Sequence, residues 1–167
     1  SADIDGYDIA NKLCISADIA YNIDIKDHQN LPIFGIRNIT CSDIKYFQQK
    51  GFAVKLIGRT RQSGNKFDYV VEPTLFLNRT LEANTPDNYN LISLNGDTIG
   101  KLDFFGQGAG MLPTANAVIQ DILDIKERKG HLKREFDKKM DYCPELTKGD
   151  YLVRSKKNIQ EFFKAYE

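Results

Sequence analysis

Two residues in the first dozen are spaced for proton chemistry. Asp8 and Lys12 stand four residues apart, with Asp3 and Asp5 just upstream. On a helix, at about 100° per residue, they share one stripe, and that stripe continues through Ile15 and Ile19. A charged pair therefore heads a row that turns apolar. One reading is a surface i,i+4 ion pair, worth only about 0.2–0.5 kcal/mol. The other places Lys12 in a partly dry pocket, oriented by Asp8 and Asp3. Desolvation would lower a lysine's pKa there and a carboxylate would raise it, so the balance could poise the amine for proton transfer. Spacing leaves both readings open.

The second candidate is the stretch Gly106-Gln107-Gly108-Ala109-Gly110, which runs through Pro113-Thr114 into a helical pattern. Glycines permit positive φ and close backbone approach, and unpaired N–H groups at a helix start attract anions. The bland reading is a tight strand-to-helix connection. The stretch lacks the lysine of a phosphate-binding P-loop, and no alternating strand and helix units follow it, as a dinucleotide-binding sheet would require. His28 and His131 are isolated, and Cys14, Cys41 and Cys143 are far apart, odd in number and without metal-ligand spacing. No metal site is expected.

The elements that must hold these residues read as α+β. Asp3 or Asp5 can cap a helix running to about Tyr21, whose solvent side carries Asn11, Asp18 and Asn22. Ile9, Leu13, Ala17 and Ala20 lie opposite, toward a core. Leu31 to Thr40 reads as a loop. Thr40 or Ser42 can cap a second helix that Gly51 stops. Phe52 to Thr60 and Lys66 to Glu72 read as a hairpin about Gln62-Ser63-Gly64-Asn65. Asn90 to Leu94 and Thr98 to Phe105 repeat the arrangement about Asn95-Gly96-Asp97, with Pro73, Pro86 and Asn88 marking loops. Ala117, Val118, Asp121, Ile122 and Ile125 give a third helix. A charge-dense extension from Lys126 to Lys139 follows, then a strand-like Tyr151-Leu152-Val153 and a helical Ile159 to Tyr166.

The chain has 167 residues, 41% of them hydrophobic, enough for one well-buried core and a tail. Its 23 basic and 23 acidic residues leave no net charge to draw it to nucleic acid or an anionic membrane. No apolar run approaches the roughly 20 residues that cross a bilayer. With cysteines that cannot complete a disulfide framework, a cytoplasmic setting is expected.

The residues can also be matched as a set. Asp3-Ile4-Asp5-Gly6-Tyr7-Asp8-Ile9-Ala10-Asn11-Lys12-Leu13 resembles the stretch that opens the catalytic domain of homoserine dehydrogenases. Gly106 to Gly110 followed by Met111-Leu112-Pro113-Thr114-Ala115 resembles that family's Gly-x-Gly-Ala-Gly loop and Pro-Thr-Ala. Asn90-Leu91-Ile92, and Gly96-Asp97 before Gly100, fit the same pattern, so the likeness covers roughly Ser1 to Ile125. It implies an α+β fold, a mixed β-sheet with helices packed on one face. It also implies interconversion of L-homoserine and L-aspartate 4-semialdehyde with NAD or NADP, and a homodimer. Lys12 corresponds to the family's catalytic lysine, and Asp3 and Asp8 to its substrate-binding carboxylates. Gly108, Ala109, Gly110 and Thr114 correspond to the segment beside the cofactor.

The chain departs from the family pattern in ways that carry expectations of their own. The family's nucleotide-binding domain is absent, so the 167 residues read as an excised domain, inactive alone and with no cofactor bound. Asn11 replaces a usual basic residue, Asn116 a small one, and Arg79-Thr80-Leu81-Glu82 departs from a Pro-Leu pattern. Residues 1–125 are taken as the catalytic domain and 126–167 as an extension that resembles, near Tyr151 to Arg154, the start of an ACT module. The alternative is a non-catalytic binding or dimerisation module that keeps the fold; it would show Lys12 in water or sealed inside packing.

Overall fold

The computed structural model describes residues 2–25, 31–127 and 135–156. His28, His131 and the helix expected over Ile159 to Tyr166 lie outside them. The first helix is not continuous. It forms a single turn, α1 (Ala2–Asp5), and then α2 (Tyr7–Tyr21), with Gly6 between them at φ +88°. Only glycine takes that conformation without strain, and here it has a second reason to be glycine. A Cβ would stand 3.0 Å from Ile33 Cγ2 and 3.1 Å from Val71 Cγ1. The break lets α1 turn away while α2 keeps its own packing axis.

α2 buries Ala10, Cys14 and Ala17, small residues that allow close approach to the sheet, while Ile9 and Leu13 are half-buried beside them. Ala20 is exposed, contrary to the expected core face. The expected solvent face is also corrected in part. Asp18 is half-buried because Oδ1 accepts the N–H of Ile25 at 3.0 Å. Asn22 is the left-handed C-cap, and its carboxamide donates to Asp137 at 2.7 Å. Asp18 thus satisfies the backbone leaving the helix, and Asn22 ties the helix end to the returning segment, demands that periodicity does not register.

The second helix, α3 (Cys41–Gln49), starts where its signals say. Thr40 caps it by accepting from Asp43 N, and Asp43 accepts from Thr40 N, a complete capping box. Gly51, at φ +82°, turns the chain into the sheet. β1 (Phe52–Arg59) pairs antiparallel with β4 (Val70–Leu77), and the hairpin tip carries β2 (Gln62–Ser63) and β3 (Lys66–Phe67). The hairpin is longer than expected because β4 runs through Pro73, which faces Leu56, instead of ending there. Proline is tolerated because β1 is the only strand beside β4 at that point among the described residues. Ile33 bridges β4 in parallel at Val71, so the 31–40 loop lies along the first residues of the strand.

Tyr69 and Val71, with no exposed surface, and Phe67 join the α2 residues, Ile23 and Ile25 in one core. The chain returns to it after α4 (Met111–Lys126): Met140 packs on the core, and β7 (Asp141–Tyr142) runs parallel to β3. A 3-10 turn follows at Pro144–Leu146, and Thr147 donates to buried Asp68 at 3.0 Å. One parallel pair beside antiparallel ladders makes the strand pairing mixed. Tyr151 to Val153, expected as strand-like, has no regular structure, but Arg154 reaches α3, where its guanidinium meets Asp43 and the Asn38 carbonyl.

The second hairpin, β5 (Tyr89–Gly96) and β6 (Gly100–Gln107), pairs with full register about the expected turn. It leads through the glycine loop into α4. Neither β6 nor α4 buries a residue, and Phe104, Leu112, Ile119 and Ile122 are all more than half exposed.

Candidate active site

Lys12 and Asp8 meet as the helical stripe requires, Nζ to Oδ2 at 2.9 Å. Their side chains are 60% and 44% exposed, so within this chain the pair stands in water on an open face, as the surface-pair reading has it, and not in the partly dry pocket of the other reading. Further along the same stripe, Ile15 and Ile19 are 61% and 47% exposed. The opposite side of α2 fixes this aim. Gly58 on β1 lets the helix settle so closely that a Cβ there would stand 2.9 Å from Ile9 Cγ2 and 3.1 Å from Leu13 Cδ2. Tyr69, fully buried, donates from its hydroxyl to the Ala10 carbonyl at 2.5 Å and accepts from the Cys14 thiol at 3.5 Å. Burial raises both the Tyr69 and the Cys14 pKa, so both stay protonated as donors.

Asp3 is not part of the ion pair. It sits exposed on α1, beyond the Gly6 break, and among the described residues Lys12 pairs with Asp8 alone. The turn that carries Asp3 is held from a side the sequence did not indicate. Arg37 grips Asp5 with Nε at 3.0 Å and Nη2 at 2.8 Å, while Ile36 N donates to Ile4 O at 2.9 Å. A Cβ on Gly35 would fall on the Ile4 carbonyl, so that loop must carry glycine there. Arg37 lowers the Asp5 carboxyl below the usual range, chiefly through this hydrogen bond. The signal for the pairing was a basic residue in a loop that had no assigned partner; nothing in the spacing joined it to Asp5.

A cavity of about 450 Å³ lies beside α2, between Tyr7, Ala10, Asn11, Leu31 and Ile33, with Cys14 and Tyr69 lining it. A larger but shallower hollow, about 550 Å³, lies over β5 and β6 next to Gly106 and Gly108.

The glycine loop is a separate construction. Gly110 (φ +129°) precedes α4, where no side chain caps the helix, and Thr114 N makes a first-turn hydrogen bond to Gly110 O at 3.1 Å. Gly106 has open space where a Cβ would be. Uncapped N–H groups at a helix start beside glycines suit a negatively charged or carbonyl-bearing ligand, so the residues present fit one edge of a nucleotide cofactor. Among the described residues, no hydrogen bond or ion pair joins Gly108, Ala109, Gly110 or Thr114 to Lys12 or Asp8. The two halves of the expected site are built on different elements, α2 and the β6–α4 turn. No group of three or more His, Cys, Asp or Glu residues suited to a metal occurs among the described residues. No described helix is long and apolar enough to cross a membrane.

Comparison with known proteins gives the family and the fold. A family model described as homoserine dehydrogenase matches residues 1–123. Homoserine dehydrogenase of Helicobacter pylori is 36% identical over 135 residues, covering 81% of this chain and 32% of that protein. The Neisseria gonorrhoeae protein of the same name is 37% identical over 123 residues, 74% of this chain and 28% of the relative. The crystal structure of a homoserine dehydrogenase from Thiobacillus denitrificans superposes with a TM-score of 0.73 at 31% identity, covering 86% of this chain and 35% of that one. The chain thus spans about a third of the length of the relatives it matches. The α+β expectation, helices packed against a sheet that does not close into a barrel, agrees with these structures.

Proposed function

The chain belongs to the homoserine dehydrogenase family, and from that premise we propose that it is the substrate-binding, catalytic part of a larger NAD- or NADP-dependent oxidoreductase. The reaction is the interconversion of L-homoserine and L-aspartate 4-semialdehyde. The observation that carries the reading is the family match over residues 1–123, which spans Asp8 and Lys12. The two pair at 2.9 Å but stand in water in this chain, so the reading requires another domain to cover them and the exposed Ile15 and Ile19. An exposed charged pair continued by exposed isoleucines is better matched to a surface that another domain covers than to one that stays in water.

In this reading Lys12 Nζ exchanges a proton with the side-chain oxygen of the substrate, which is a hydroxyl in homoserine and a carbonyl in the semialdehyde. Asp8 fixes the amine's direction, and Asp3 with Asp8 receives the polar end of the substrate. Hydride chemistry at the carbon that bears this oxygen would be supplied by a nicotinamide cofactor when one is bound. Gly108, Ala109, Gly110 and Thr114 would line the cofactor's edge, with the backbone N–H groups of Ala109 and Gly110 as donors, since those of Gly108 and Thr114 already bond the Asn88 and Gly110 carbonyls. Positioning matters because proton transfer needs heavy atoms about 2.6–3.2 Å apart.

The proposal extends to a homodimer and to a nucleotide-binding domain outside these residues. The exposed apolar residues of β5, β6 and α4 support both, since a covered face would account for Phe104, Ile119 and Ile122. Residues 1–125 form the catalytic domain, with the segment from 135 laid against it. Three thiols that form no disulfide among the described residues, Cys14, Cys41 and Cys143, suit a reducing cytoplasm.

The test is homoserine-dependent reduction of NAD or NADP by the complete enzyme containing this chain, beside the 167-residue chain alone. Turnover by the complete enzyme and none by the chain is expected. No homoserine-dependent reduction by the complete enzyme would overturn the proposal.

A further inference from the structure

The glycine loop is gripped from outside by a residue that nothing so far has given a role. Asn88 Nδ2 donates to the Ala109 carbonyl at 2.6 Å, and the Asn88 carbonyl accepts from Gly108 N at 2.9 Å. One residue therefore holds the loop on both sides of the Gly108–Ala109 peptide. Asp87, directly before it, has φ +38°, an uncommon conformation for a residue with a side chain, and Tyr89 N donates to Pro86 O at 2.9 Å. The turn before β5 is thus wound tightly enough to present Asn88 to the loop. Gly108 approaches Asn90 so closely that a Cβ would overlap its carboxamide, which leaves the loop no room to shift toward β5.

We infer that Asn88 is a positioning residue that sets the path of the Gly106–Gly110 loop for a nicotinamide cofactor. The inference rests on the reading of that loop as cofactor-facing. Its physical content is a peptide orientation. In a trans peptide the C=O and N–H groups point in nearly opposite directions, so holding Ala109 O toward Asn88 turns Gly110 N–H to the other side of the loop. There it joins the uncapped N–H groups of α4 as a donor. Without the carboxamide, the Ala109–Gly110 peptide can rotate, since Gly110 permits most φ values. The donors are then no longer fixed in advance, and ordering them becomes part of the cost of binding.

The test uses Asn88→Ala and the nearly isosteric Asn88→Asp, whose carboxylate cannot donate to a carbonyl. In the 167-residue chain, hydrogen exchange at the Gly108 amide should be about fivefold faster in both variants. In the complete enzyme, the dissociation constant for NADH or NADPH, read by nucleotide fluorescence, should rise about fivefold, which at about 1.4 kcal/mol per decade is the worth of one hydrogen bond. The homoserine KM should stay within twofold. Unchanged exchange and unchanged nucleotide affinity would overturn the inference, as would a homoserine KM that rises in step. If the unaltered complete enzyme binds neither nucleotide, the proposed function fails and the inference with it. Binding by that enzyme with unaffected variants defeats the inference alone.

Discussion

Substituting Gly58 should show that the direction of Lys12 is set from beneath the helix. An alanine Cβ at residue 58 would meet Ile9 Cγ2 at 2.9 Å, Leu13 Cδ2 at 3.1 Å and Leu13 Cβ at 3.3 Å. Carbon atoms pack at about 3.5–4.0 Å, so all three contacts are short. The Leu13 terminus can rotate away, but its Cβ is fixed to the α2 backbone, so the helix itself must retreat. Overpacking of this kind costs about 1–3 kcal/mol. Replacing glycine in a strand returns about 0.5–1 kcal/mol. The net loss expected for Gly58→Ala is about 1–2 kcal/mol. For a chain of this size that lowers the melting temperature by about 2–8 °C in thermal unfolding. Ile9→Ala removes the nearest contact, so the double variant should recover at least about 0.5 kcal/mol relative to the sum of the singles. Displacement of α2 carries Asp8 and Lys12 with it, and the complete enzyme should lose about ten- to a hundredfold in kcat. A Gly58→Ala chain as stable as the unaltered one, or additive with Ile9→Ala, would refute the argument that α2 is seated on this glycine.

Tyr69→Phe removes a hydroxyl that joins the residue just before β4 to Ala10 and Cys14; about 1–2 kcal/mol of stability should be lost, read by urea unfolding, and no loss would mean that the hydroxyl is not needed to seat α2. The α3 capping box should be visible in acid. Thr40 first, then Arg154, lowers the Asp43 carboxyl from 3.8 to about 2, so its contribution is present above pH 3.8 and fades as pH falls through about 2. The melting temperature of Asp43→Asn should accordingly fall less steeply than that of the unaltered chain between about pH 4 and pH 2, and parallel slopes would contradict the assignment.

How much of this was legible from the residues depends on whether the deciding interaction is local. The α3 boundaries could be read because Thr40, Asp43 and Gly51 act on backbone groups within one turn of themselves. The hairpin about Gly96 and the stripe shared by Asp8 and Lys12 are also local, and both are found. The break at Gly6 was missed because apolar periodicity runs on through it. What demands glycine there is contact with Ile33 and Val71, far along the chain. Pro73 reads as a loop residue unless one knows that, among the described residues, no strand lies on its other side. Asp3 shares a motif with Lys12 but not an ion pair, since the same break turns α1 away. Arg37, Asn88 and the returning segment at Asp137 to Thr147 act only through partners brought to them by folding.

The central claim is that the amine of Lys12 moves the proton, and its direct measurement is kcat of the complete enzyme with Lys12→Ala. The exposed pair with Asp8 gives the fold little, about 0.2–0.5 kcal/mol, so the variant should melt within about 2 °C of the unaltered enzyme. Its kcat should nonetheless fall by about 10²–10⁴, the range lost with a positioned acid–base group. A well-folded variant that keeps kcat within tenfold would contradict the account.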